Sequence, residues 1–277
     1  MAFADVGKAW KDISGGFVYD QKASFATKTS FGPTLNGSAT YKSDGALPAE
    51  LKATYKLAAG STLEATVNHA GKVTAAVTQD NVAPGLKATL SGTVLGAAPE
   101  GKVSLAYALA KPPVIGGKVG VKSDISLLGS SKISASVGWA SGSLAAGAEA
   151  DYDTAKGAVG KYAAGAQVTL ANGGVAALLL ADKDTLKASY VHKCSATVTG
   201  GVEVVQKMSK KDVSATAAAQ FKLAGGAAAK ATLTSAGVLS LLYTKDVQPK
   251  TSASVALQLN TLALDKPPKM GVLLNFK

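Results

Sequence analysis

Residues 22–31, KASFATKTSF, alternate polar and apolar side chains with a period of two. One side of an extended chain would carry Lys22 and Lys28, and the opposite side would carry Phe25. Successive side chains of a β-strand point to opposite faces of a sheet. The stretch therefore predicts a strand with one hydrated face and one apolar face.

The same alternation recurs far along the chain, in residues 50–57 (ELKATYKL), 86–94 (LKATLSGTV) and 132–139 (KISASVGW). No Ser/Pro-rich spacer and no block of like charges divides these stretches. A single β architecture is therefore expected from residue 22 to residue 277, since all-β domains of this length are common.

The composition does not favour a water-soluble core, because only 6% of the residues are aromatic and much of the 47% apolar content is alanine. The longest apolar run, residues 174–181, is shorter than the roughly 18 residues that a membrane-spanning helix needs. A closed barrel is the other structure that satisfies its backbone in lipid. With strands of about 10 residues and turns of about 3, residues 22–277 would hold about 19 antiparallel strands. This estimate does not separate odd from even counts.

The net charge of +11 comes entirely from lysine, since the sequence contains 29 lysines and no arginine. Arginine is the usual ligand for guanine edges and phosphates, so its absence argues against nucleic-acid binding. Lysines repeated on one strand face instead predict a basic lumen that attracts anions. The wall candidates are Lys22, Lys28, Lys52, Lys56 and Lys87.

The sequence offers no arrangement that predicts catalysis or metal binding. Cys194 is the one cysteine, and His69 and His192 are far apart in strand-like stretches. No phosphate-binding loop or nucleophile motif is present. Three acids alternate along one strand face, as lumen residues would: Glu149, Asp151 and Asp153. We therefore expect no enzyme, no cofactor and no metal site.

Residues 3–13, FADVGKAWKDI, show a helical period instead of a strand period. The apolar stripe consists of Phe3, Val6, Trp10 and Ile13, and the polar side consists of Asp5, Lys8, Lys11 and Asp12. The segment predicts an amphipathic helix against the inner wall, followed by a flexible joint at Gly15 and Gly16. A mitochondrial transit peptide is the competing interpretation of this segment. Such peptides are rich in arginine and poor in acids, whereas residues 3–13 contain no arginine and two aspartates. The predicted division is residues 1–21 for helix and hinge and 22–277 for the barrel.

Several segments together resemble the mitochondrial porins, or voltage-dependent anion channels, especially the plant and algal members. They are residues 3–13, YDQKASFATKT at 19–29, APGLKATL at 83–90, ADKDTLKASY at 181–190 and KMGVLLNF at 269–276. Gly85, Leu86 and Lys87 match the family's Gly-Leu-Lys motif, which the resemblance associates with nucleotides. The last segment fits the sorting signal of mitochondrial barrels through Lys269, Gly271, Leu274 and Phe276.

The resemblance implies a voltage-gated, anion-preferring diffusion channel of the mitochondrial outer membrane that passes ATP, ADP, phosphate and small organic anions. Lys8 and Lys11 would join the wall lysines in attracting anions, and the helix with its glycines would take part in gating. Membrane lipids and further copies of the chain are the implied partners. Mitochondrial porins are themselves the known 19-stranded membrane barrels, so the strand count above is not independent of the resemblance. Val67 stands where several animal members carry a membrane-facing glutamate.

Two other functions remain open from the residues. A protein-import pore of the same architecture would favour an acidic or mixed lumen for basic presequences, which the lysine-rich face argues against. A soluble all-β binding protein would use the apolar face as an ordinary core, which the small Ala and Gly side chains argue against.

Overall fold

The structure is a computed structural model that describes residues 3–57, 60–96, 98–109, 116–128 and 132–276. A 3-10 turn at Phe3–Asp5 and helix α1 at Lys8–Ser14 precede the strands. Among the described residues, no helix is both long and apolar enough to cross a membrane.

Nineteen strands lie within these residues. They are β1 (Gln21–Lys28), β2 (Thr34–Tyr41), β3 (Ala49–Lys56), β4 (Ser61–Asn68), β5 (Val73–Ala83), β6 (Leu86–Leu95), β7 (Gly101–Leu109), β8 (Lys118–Leu128), β9 (Lys132–Ser141), β10 (Leu144–Asp153), β11 (Ala158–Thr169), β12 (Val175–Ala181), β13 (Thr185–Lys193), β14 (Val198–Lys207), β15 (Asp212–Lys222), β16 (Ala228–Thr234), β17 (Val238–Gln248), β18 (Thr251–Asn260) and β19 (Lys269–Phe276).

These strands form one sheet that closes on itself, which confirms the predicted barrel of about 19 strands. Neighbours in sequence pair antiparallel from β3 to β10 and from β12 to β19. Strand β1 is bonded to β2 and, in parallel, to β19. An odd number of alternating strands leaves the first and last pointing the same way, so this seam departs from the antiparallel pattern that the sequence predicted.

The chain forms two compact units. The first contains residues 1–6, 26–38 and 48–165, and the second contains residues 7–25, 39–47 and 166–277. In the first unit the 3-10 turn contacts β9 and β10, and in the second α1 contacts β13 to β16. We call the sheet face that carries these N-terminal segments the inner face. The apolar side chains of these segments are buried against that face, as predicted for a helix inside the barrel.

The two faces differ in the sense expected of a membrane barrel. On β17, Leu241 and Tyr243 point outward and are 39% and 44% exposed, whereas Ser240 on the inner face is 5% exposed. The same alternation places Val137 on the outer face of β9 and Val67 on the outer face of β4, 45% and 42% exposed. Large apolar side chains that face outward in this way match a lipid solvent, not water.

The apolar stripe of the N-terminal segment is buried, as its helical period predicted, but the segment is not one continuous helix. Phe3, Val6, Trp10 and Ile13 are between 0% and 6% exposed. Gly7 separates the 3-10 turn from α1 because its φ of 71° lies in the left-handed region, which favours glycine. The expectation of a helix over residues 3–13 is therefore wrong at this one junction.

Candidate functional site

Helix α1 rests on a small apolar patch of the inner face. Trp10 and Ile13 pack with Val191 of β13 and Ala218 of β15, and all four side chains are buried. Gly201 of β14 lies beneath Ile13, whose Cδ1 is 2.9 Å from the position that a Cβ of residue 201 would take. Small side chains on the wall thus let the helix approach the sheet closely.

Polar wall side chains bind both ends of α1. The backbone N–H of Gly7 donates to Oε1 of Gln167 on β11 at 3.0 Å. At the other end, Nζ of Lys230 on β16 donates to the carbonyl oxygens of Asp12 and, at 3.1 Å, of Gly15. A cation beside the free carbonyls of a helix C-terminus is typically worth about 0.3–1 kcal/mol when exposed and more when partly buried. The helix is therefore fixed by its ends as well as by its apolar stripe.

An acid of the wall interacts with the helix and with two lysines. Glu203 is on the inner face of β14, and its carboxylate accepts a hydrogen bond from the Trp10 indole. Lys11 of the helix and Lys187 of β13 also interact electrostatically with this carboxylate. Glu203 therefore ties the polar side of α1 to the wall and offsets part of the local positive charge.

In the second unit, most inner-face lysines have no ion-pair partner among the described residues. The alternation and the strand registers place on this face Lys22, Lys187, Lys193, Lys207, Lys222 and Lys269. The described ion pairs involve none of them. Lys187 interacts electrostatically with Glu203, and Lys207 with Asp184, so these two charges are partly offset. The six lysines together still present a positive surface to the lumen.

In the first unit, by contrast, several inner-face lysines form ion pairs. Lys52 pairs with Glu64 at 2.8 Å and Lys87 pairs with Asp80 at 3.1 Å. The carboxylate of Asp124 on β8 pairs with two more lysines, Lys102 at 3.0 Å and Lys122 at 2.9 Å. Of the wall lysines proposed from sequence, Lys52 and Lys87 are thus paired, whereas the described ion pairs involve neither Lys28 nor Lys56.

The alternating acids of β10 share the inner face with these pairs. Glu149 lies opposite Ser136, and Asp151 lies opposite Ser134. Together with Asp124 and Lys122, they line a small cavity beside Ala4. The carboxylate of Asp153 accepts hydrogen bonds from the backbone N–H groups of the following turn. These acids are distributed along the lumen face, as the alternation predicted.

The Gly-Leu-Lys segment divides among three positions. Gly85 lies in the turn between β5 and β6, and its carbonyl accepts a hydrogen bond from Ala108 N–H at 2.9 Å. Leu86 begins β6 on the face opposite to Lys87, whose amine pairs with Asp80. The described contacts of these residues are structural, and their nucleotide role stays a prediction.

The remaining residues predicted from sequence occupy both faces and the helix surface. Lys8, Lys11 and Asp12 are exposed on α1, and Asp5 is half-buried in the 3-10 turn. Gly15 donates its N–H to Lys11 O at 3.0 Å, and Gly16 has a φ of 97°. In β19, Lys269 and Gly271 lie on the inner face, and Leu274 and Phe276 lie on the outer face. The hinge and the sorting signal remain predictions.

Sequence reasoning missed the residues that hold the helix, namely Gln167, Lys230 and Glu203. Their importance depends on which strands α1 contacts, and a two-residue period carries no information on that. One weak signal existed for Glu203, because it is an acid among the valines of VEVV at 202–205. Lys230 and Gln167 resemble any other polar wall residue in the sequence.

Comparison with known proteins covers nearly the whole chain. The model of the eukaryotic porin family matches residues 1–271. A mitochondrial outer membrane protein porin 5 from Oryza sativa subsp. japonica is 32% identical over 276 residues, which cover 98% of this chain and 96% of the relative. A mitochondrial outer membrane porin from Triticum aestivum is 28% identical, and the match covers 99% of this chain and 98% of the relative. A mitochondrial outer membrane protein porin 2 from Arabidopsis thaliana is 29% identical, and the match covers 99% of this chain and 97% of the relative. The chain therefore belongs to the eukaryotic porin family.

Proposed function

We propose that this porin is an anion-preferring, voltage-gated diffusion channel whose permeants include ATP, ADP, phosphate and small organic anions. The coarser function follows from the family: the chain is a metabolite diffusion channel embedded in a membrane, and its relatives are named as mitochondrial outer membrane porins. The mitochondrial outer membrane is accordingly its location. Porins are channels, so no bond of the permeant is made or broken.

The observation that carries the proposed anion preference is the inner face of the second unit. Six lysines on that face belong to no described ion pair: Lys22, Lys187, Lys193, Lys207, Lys222 and Lys269. Spaced charges of one sign raise the local concentration of counter-ions while binding each of them weakly enough for release. The exposed Lys8 and Lys11 of α1 add to this surface.

Reconstitution into planar bilayers tests the selectivity. Under a salt gradient we expect a large conductance whose reversal potential has the sign of an anion-selective pore. ATP and ADP should then give measurable currents as the only anions on one side. Cation selectivity, or absence of conductance from correctly folded protein, would contradict the proposal.

The proposed gating role of the N-terminal segment is tested by deletion of residues 1–16. We expect the truncated channel to conduct but to lose or weaken its closure at high voltage, because the charged segment that moves has been removed. Unchanged closure in the truncated channel would exclude the segment from gating. Homo-oligomerisation is a separate proposal that chemical crosslinking in lipid vesicles would check.

A further inference from the structure

We infer that Lys230 is a positioning residue that holds α1 against the wall through the helix C-terminus, and that it thereby sets the voltage at which the channel closes. The inference rests on the proposed gating role of the N-terminal segment. Gln167 is the uncharged counterpart of Lys230 at the other end of the helix.

The geometry at the helix C-terminus distinguishes Lys230 from the other wall lysines. Its amine donates to two main-chain carbonyls, those of Asp12 and Gly15, and the Asp12 carboxylate interacts with it electrostatically. Backbone carbonyls at the end of a helix have no partner within the helix, so an outside donor satisfies them. Among the described inner-face lysines, no other donates a side-chain hydrogen bond to α1.

The position of Lys230 places this bond at the junction between helix and linker. Gly15 ends α1 with an extended backbone, and Gly16 lies near both Nζ of Lys230 and the side chain of Leu242. Any displacement of the helix away from the wall must break the two bonds at this junction. The apolar stripe and Gln167 resist the same displacement at other points, so loss of Lys230 weakens the attachment without abolishing it.

The magnitude of the effect follows from the type of bond. Removing one hydrogen bond to a charged donor changes an equilibrium by roughly tenfold. Lys230 makes two such bonds, so the released population of the helix should rise at least about tenfold in Lys230→Met. Voltage closure should then occur at a lower voltage, because less electrical work is needed to move a helix that is already less firmly held.

Trp10 reports helix attachment without any measurement of current. The chain has two tryptophans, and Trp139→Phe leaves Trp10, which is 6% exposed, as the one fluorophore of this type. In this background, Lys230→Met should increase iodide quenching of Trp10 and shift its emission to longer wavelength. Lys230→Arg should restore both values because a guanidinium can also donate to two carbonyls. Gln167→Leu should increase quenching with no change in charge.

Lys222→Met is the matched control, because Lys222 is a neighbouring inner-face lysine on β15 and the described bonds place no side-chain contact between it and α1. A change in selectivity that both variants share is an effect of charge alone. The inference requires greater quenching and a lower closing voltage in Lys230→Met than in Lys222→Met. Equal quenching in the two variants would overturn it, as would greater quenching with an unchanged closing voltage. If the wild-type channel does not close with voltage, the proposed gating fails, and the quenching experiment still tests the attachment.

Discussion

Gly201 shows how a single residue determines how closely α1 approaches the barrel wall. A Cβ at this position would lie 2.7 Å from Tyr190 O and 2.9 Å from Ile13 Cδ1, closer than real Cβ atoms approach their neighbours. The absence of a side chain thus leaves room for Ile13 on the wall.

Gly201→Ala should therefore displace α1 and cost about 1–3 kcal/mol of folding stability, the usual range for overpacking. Iodide quenching of Trp10 and unfolding in detergent measure the two effects. Gly200→Ala is the matched control on the outer face, where the nearest atoms are 3.8 Å and 3.9 Å away. Equal behaviour of the two variants would contradict the role assigned to Gly201.

Asp184 is a residue-scale case in which pH matters. It lies in the turn between β12 and β13, and the Ser209 hydroxyl and then the Ser209 backbone N–H hold the pKa of its carboxyl below the usual value. Both groups donate at 2.6 Å and so join two neighbouring turns. Because the pKa is lowered by folding, the stabilisation is present above the unfolded pKa and is lost as the pH falls through the folded one.

Asp184→Asn should accordingly lower the unfolding temperature at neutral pH, and the difference from wild type should vanish in strong acid. Thermal unfolding in detergent at a series of pH values measures this difference. Asp182→Asn, two residues away, removes a carboxylate for which the described residues provide no hydrogen bond. A difference that persists unchanged into strong acid would exclude the carboxylate as its cause.

At the scale of the strand, adjacent residues face different solvents. Ser136 of β9 points to the inner face opposite Glu149, and Val137 points outward and is 45% exposed. A lysine at the lipid midplane of a membrane barrel costs about 2–4 kcal/mol, whereas a lysine in the lumen is hydrated.

Val137→Lys should therefore destabilise the folded barrel by roughly 2–4 kcal/mol, and Ser136→Lys should leave its stability nearly unchanged. Denaturant unfolding in lipid vesicles compares the two variants, which carry the same new charge on adjacent residues. A larger loss for Ser136→Lys would mean that the faces of β9 are assigned the wrong way round.

Pairing between strands determines which lysines affect selectivity. Lys52 on β3 is compensated by Glu64 on β4 at 2.8 Å, whereas the described ion pairs do not include Lys22 on β1. The double change Lys52→Gln with Glu64→Gln should leave the reversal potential of the channel unchanged. Lys22→Gln should move it toward zero, because an uncompensated charge is lost. Bilayer recordings under a salt gradient measure the reversal potential of each variant. A larger shift of the reversal potential in the double variant than in Lys22→Gln would contradict this account.

The sequence predicted these strands more completely than it predicted their partners. A period of two was enough to divide Lys22 and Phe25, or Ser136 and Val137, between opposite faces. It could not show that Asp124 would pair with Lys102 as well as with Lys122, because Lys102 lies on β7 and its distance from Asp124 depends on the register between β7 and β8. The contacts of Lys230 with α1 could not be predicted either, because they join residues more than 200 positions apart in the sequence.

At the scale of the whole molecule, the seam between β1 and β19 depends on Gly271. A Cβ at this inner-face position would overlap the backbone of Val18 and Tyr19, which pass over β19 on the way into β1. Gly271 also belongs to the predicted sorting signal, so a substitution there has two possible effects that an experiment must separate.

Gly271→Ala should impair refolding from denaturant into detergent, where no sorting machinery is present, because the linker and the last strand then compete for the same space. Heat-resistant mobility in gel electrophoresis measures the folded fraction. Leu274→Ala changes the same predicted signal on the outer face, where it leaves the linker untouched, and should refold more completely. Equal refolding of the two variants would exclude a role of Gly271 in barrel closure and leave only its predicted role in the sorting signal.

The parallel seam has a consequence for the order in which the chain acquires its structure. Strands β3 to β10 and β12 to β19 pair with neighbours in sequence, which costs little loop-closure entropy. The pair Gln21 and Val272 instead joins strands that are 251 positions apart in the sequence (272 − 21). The barrel therefore cannot close until β19 has been synthesised, and a chain that lacks β19 exposes unpaired strand edges that invite aggregation. A cell that makes this protein must therefore prevent β1 and β19 from pairing with other chains until the two strands pair with each other.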